Sequence, residues 1–127
     1  MATRTDTAAA SYLPDHPIYI VIDTYQGRPF VAERDVADMS RASVVADIAA
    51  GDFTSVPKFG HAARSTLQAV IEVDLRSGSS RDVTAEIASD VRDAWADTGR
   101  PLLSWQEGLI ADHLGAVALS RFMREVA

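Results

Sequence analysis

Apolar and polar positions along the chain fall into blocks with different periods, and these blocks predict its elements. Ile18-Tyr19-Ile20-Val21-Ile22 opens a β-branched stretch reaching Tyr25, which reads as a strand buried on much of both faces. Gln26-Gly27-Arg28-Pro29 supplies a turn, and Phe30 to Arg34 returns as a second strand, with Pro29 marking it as an edge strand. Asp38 or Ser40 can cap a helix over residues 40–50 that carries Val44, Val45, Ile48 and Ala49 on one side, with Gly51 at its C′ position. Residues 52–65 hold Pro57 and Gly60 and read as a long connection. A third strand then alternates cleanly. Leu67, Ala69, Ile71, Val73 and Leu75 point one way, while Gln68, Val70, Glu72, Asp74 and Arg76 point the other.

Helical periods fill the rest. Val83, Ile87, Val91, Ala94 and Trp95 form a stripe over 83–97, stopped by Gly99-Arg100-Pro101. Ser104-x-x-Glu107 has the form of a capping box and starts a helix bearing Leu109, Ile110 and Leu114. Gly115 either ends it or interrupts it before Leu119, Phe122, Met123 and Val126, spaced i, i+3, i+4 and i+7. The spacing predicts Trp95 and Trp105 as core residues. The order β-β-α-β-α-α implies an α+β two-layer domain, with a three-stranded antiparallel sheet of order 2-1-3 and helices on one face. Residues 1–16, closed by Pro14 and Pro17, read as a flexible tail before a single domain over 17–127.

Composition narrows the class. The chain has 127 residues, 47% hydrophobic and 24% charged, as ordinary globular domains do. It lacks cysteine, which excludes disulfides, thiolate metal sites and cysteine nucleophiles. Its longest apolar run is far shorter than the ~20 residues that cross a bilayer, and no secretory pattern opens it, so a cytoplasmic protein without membrane association is expected. Net charge is −6 with a pI near 4.9. Nucleic-acid binding draws on phosphate neutralisation by Lys and Arg, which argues against such a partner here.

Two places can carry chemistry. Arg76-Ser77-Gly78-Ser79-Ser80-Arg81 links a strand to a helix N-terminus, where unpaired N–H groups favour anions. In a 2-1-3 sheet, Arg34, Ser40 and Arg41 approach Arg76, Ser79, Ser80 and Arg81, and these seven form a candidate site for a phosphate or carboxylate. The plain alternative is a local cap, since Ser79-x-x-Asp82 is itself a capping box. The second place is the basic loop of Lys58, Phe59, His61 and Arg64, a candidate contact for a protein partner. Roughly 30 Å of strand separates it from Arg76, so the two are independent. Asp23, Glu72 and Asp74 can share a sheet face and bind a divalent cation if strand register allows. His16, His61 and His113 are scattered, and no nucleophile motif accompanies them.

Ser80-Arg81-Asp82-Val83-Thr84-x-Glu86-Ile87-Ala88 resembles an S-R-D-V-[ST]-x-[DE]-[IV]-A segment found in a group of small uncharacterised bacterial proteins. Ile20-Val21-Ile22-Asp23 and Val44-Val45-Ala46-Asp47-Ile48 extend the likeness over residues 18–114. The resemblance implies a free-standing domain and transfers no catalytic residue. The leading expectation is a non-enzymatic interaction or regulatory domain needing no cofactor, able to self-associate through an exposed edge of the third strand. Small-anion or nucleotide binding at the Arg76–Asp82 corner comes second, and a metal-dependent hydrolase on the carboxylate face third.

Overall fold

Two long neighbouring strands, β1 (Ile18–Tyr25) and β3 (Thr66–Val73), form the centre of a four-stranded antiparallel sheet. The shorter β2 (Arg28–Val31) and β4 (Ser80–Asp82) flank them, in the order β2-β1-β3-β4. The structure, a computed structural model, describes residues 13–25, 27–32, 34–51 and 66–126. Most of the tail predicted over 1–16 and the whole basic loop of Lys58, Phe59, His61 and Arg64 lie outside the described residues. Among the described residues four α-helices pack on the sheet: α1 (Arg41–Ala50), α2 (Thr84–Thr98), α3 (Ser104–Leu114) and α4 (Ala116–Val126).

The predicted α+β class stands, and the strand count is corrected from three to four. The third strand is followed by a hairpin: Asp74 N–H donates to the Ser79 carbonyl at 2.9 Å, and Ser80, Arg81 and Asp82 pair with Val73, Glu72 and Ile71. Ser79 therefore caps no helix. β4 pairs with Ile71, Glu72 and Val73 and so occupies the part of the β3 edge nearest the hairpin, which shortens the edge expected to self-pair. Asp82 takes the capping role instead, accepting from Thr84 N–H at 2.8 Å.

β1 and β3 do not run in one phase. Val21 faces Val70 and Ile22 faces Ala69, yet Asp23 faces Leu67, so Gln68 is an inserted residue in a β-bulge. The bulge reverses the side-chain alternation at that point. Leu67, Val70 and Glu72 consequently join Tyr19, Val21 and Asp23 under the helices. Ala69, Ile71 and Val73 go to the opposite face, against the prediction that they share one with Leu67. His113 on α3 bonds the Leu67 carbonyl through Nε2 at 2.9 Å, tying the helical layer to the bulge.

The core sits between sheet and helices. Val21, Val70, Val44, Ile48, Val83, Ile87, Val91, Ile110 and Phe122 are almost wholly buried there. Trp95 is buried, meets Trp105 edge-on at 5.5 Å between ring centres, and donates Nε1–H to the Ala49 carbonyl at 2.9 Å. Ser40 caps α1 by accepting from Ser43 N–H, and Gly51 ends it in the left-handed region at φ 81°. The capping box predicted at Ser104 and Glu107 is shifted by one residue, with Gln106 Oε1 accepting from Leu103 N–H at 2.6 Å. Gly115 separates α3 from α4. Met123, placed in the apolar stripe by its spacing, is instead exposed.

Candidate functional site

The seven residues of the expected anion site do not gather at one place. Arg41 and Arg81 come into one polar network beneath the helices. Tyr19 stands opposite Glu72 across β1 and β3, and its hydroxyl donates to Glu72 Oε2 at 2.7 Å. Arg81 donates to Glu72 Oε1 at 3.0 Å and to Glu86 at 2.9 Å, while Arg41 donates to Asp90 at 2.8 Å. Hydrogen bonds from Tyr19 and Arg81 hold the Glu72 carboxyl below its ordinary range. Burial, with the bond to Glu72, pushes the Tyr19 hydroxyl up. Both guanidinium groups are engaged by carboxylates, which opposes an exogenous anion.

The other members lie apart. Arg34 pairs with Asp47 and donates to the Asp38 carbonyl at 3.0 Å. Arg76 pairs with Asp15 at 2.7 Å. Ser79 shares a hydrogen bond with Ser77, Ser80 belongs to β4, and Ser40 is occupied as the cap of α1. A hollow of about 140 Å³ opens at the corner, lined by Glu72, Asp74, Ser79, Ser80 and Arg81. Its two carboxylates against one arginine give it the wrong balance for a phosphate.

The carboxylate face is likewise dispersed. Glu72 lies beside Tyr19, and Asp23 stands four residues further along β1, roughly 13 Å away. Asp74 belongs to the hairpin turn and accepts from Arg76 N–H at 2.9 Å and Ser77 N–H at 3.4 Å, bonds that lower its pKa. No group of three acidic or histidine side chains among the described residues is placed to hold a metal ion. Asp23 is fully buried, and neither of its carboxylate oxygens accepts a hydrogen bond among the described residues. Burial pushes its pKa up to about 7, against the opposing influence of Arg34.

A surface that the motifs did not nominate is the other side of the sheet. The register Ile18↔Val73, Ile20↔Ile71, Ile22↔Ala69 and Ile22↔Val31 puts seven apolar side chains on one face. All four helices occupy the opposite face. Ile18 is buried at one end, and Val31 is 58% exposed at the other. Ile20, Ile22, Ala69, Ile71 and Val73 are half-buried and belong to no part of the helix-side core. Thr24 and Gln68, hydrogen-bonded to each other, close one end, while Ser80 and Asp82 border the β4 edge. The signal was present in the apolar character of Ile18, Ile20 and Ile22 alongside Tyr19 and Val21, which already indicated a strand with both faces covered.

No family model, no curated protein and no solved structure matches this chain.

Proposed function

We propose that the protein acts as an interaction or regulatory domain rather than through catalysis, and that its contact surface is the open face of the sheet. One observation carries this reading. Five neighbouring Ile, Ala and Val side chains of β1 and β3 lie outside the core and, among the described strand residues, have polar groups only at their border. A contiguous apolar patch with a polar rim is the anatomy of a protein–protein contact, and monomeric surfaces seldom carry one without use. The polar network of Tyr19, Glu72, Arg81, Arg41 and Asp90 then serves to brace the helices against the sheet.

A photo-crosslinking side chain placed at Ile71, in cells that naturally express the chain, tests the reading. The same group at Val117, 72% exposed on α4, is the control. Defined adducts from position 71 and none from position 117 are expected. Equal labelling from both, or none from either, overturns the reading.

A further inference from the structure

We propose that the occupant of the open sheet face is a second copy of this chain, docked sheet against sheet about a two-fold axis. The proposal rests on the reading of that face as a contact surface.

The chain carries a net charge of −6, so two copies repel wherever their acidic surfaces meet. Among the described strand residues, the open face carries little of that charge. Its centre is Ile20, Ile22, Ala69, Ile71 and Val73, and the one charged side chain that the strand register puts on it is Asp82, at the β4 border. A two-fold contact requires a patch complementary to itself. Branched aliphatic side chains on a pleated surface meet that requirement, because each sheet's ridges can enter the other's furrows at about 10 Å separation.

The size is adequate. The strands hold 8, 4, 8 and 3 residues. At about 3.3 Å rise and about 4.8 Å spacing, they present roughly 360 Å² in projection per copy. With side-chain relief and rim contacts, two copies bury on the order of 1,000 Å², the lower bound for a specific interface. At that size a weak, reversible association is expected, and a micromolar dissociation constant is the value to be tested. Continuation of the sheet edge to edge is disfavoured, because both outer strands are short and β2 contains Pro29.

Sedimentation of the full chain from ~1 to ~100 μM brackets the expected constant. The mass should rise from 13.7 kDa toward twice that value. Ile71→Lys should weaken association at least tenfold while the circular dichroism spectrum stays unchanged, and Val117→Lys should leave association as it was. A strict monomer, or a dimer indifferent to Ile71→Lys, overturns the proposal.

Hydroxyl-radical labelling of the unsubstituted chain decides the matter even if the lysine variant does not fold. Labelling of Ile20, Ile71 and Val73 that falls as concentration rises is the expected result. Labelling that stays high in a monomer overturns the dimer and leaves the contact-surface reading intact. Protection at every dilution in a chain that sediments as a monomer means that the chain covers its own face, and both readings then fall.

Discussion

Tyr19 and Glu72 face each other across the two central strands, and the Tyr19 hydroxyl donates to Glu72 Oε2 at 2.7 Å. The carboxylate so fixed also receives Arg81, which reaches on to Glu86 at the start of α2. One phenol therefore orders a chain of charges that joins the sheet to a helix. Tyr19→Phe should keep the packing of the ring and remove the bond. A loss of about 1 kcal/mol in urea unfolding is expected. The Glu72 carboxyl should also titrate closer to its ordinary range in a carbon-detected NMR titration, because the Tyr19 hydroxyl is the foremost cause of its depression.

Asp23 gives stability a pH dependence of the opposite sense to most carboxylates. Its folded pKa, about 7, lies above the ordinary 3.8, so between those values the folded chain holds a proton that the unfolded chain has released. Stability contributed by this group is therefore full below about pH 4, declines as pH rises toward 7, and is flat above. Asp23→Asn should remove that slope. At pH 8 it should stabilise the fold by on the order of 2 kcal/mol, the scale of an unpartnered buried charge. Thermal unfolding of both proteins from about pH 3.5 to 8 checks this, with the curves converging at the acid end.

Thr84 is a two-way link. Its Oγ1 accepts from Val70 N–H at 2.9 Å in the middle of β3 and donates to Asp82. Thr84→Val preserves shape and orphans the Val70 N–H in a buried site. A loss of about 1–3 kcal/mol is expected, with faster exchange of the Val70 amide as the local signature.

Gly51 ends α1 at φ 81°, and a Cβ there would stand 3.3 Å from Trp105 Cζ2. Gly51→Ala combines backbone strain with a crowded ring. About 1–2 kcal/mol of destabilisation is expected by chemical denaturation. Gly27→Ala, at φ 77° with open space around it, isolates the backbone part and should cost less.

Much of the fold was legible because local signals and tertiary structure agreed. Ser40 and Gly51 bound α1 where the cap rules place them, and the Val83-Ile87-Val91-Trp95 stripe is the buried side of α2. The misreadings share one cause. Ser80-Arg81-Asp82 has no strand-like composition and pairs only because β3 offers it an edge, a tertiary effect invisible to propensity. The bulge at Gln68 has the same origin, since nothing in Leu67-Gln68-Ala69 announces an inserted residue. The candidate anion residues were expected at one place, and apart from Arg41 and Arg81 around Tyr19 and Glu72 they lie separately. What composition could not foretell was that Asp15, Asp47, Glu72 and Asp90 would each claim an arginine first.

Period-two alternation makes the sheet a septum between two apolar sides, and the bulge at Gln68 keeps Leu67 on the helix side. Leu67, Val70, Val21 and Tyr19 face one, and Ile20, Ile22, Ile71 and Val73 face the other. Residues adjacent in sequence thus answer to different demands. Substitution of Val70 disturbs the packed interior, whereas substitution of Ile71 alters a half-buried side chain outside it. Sequence change can accumulate on one side of β3 without touching the interior on the other.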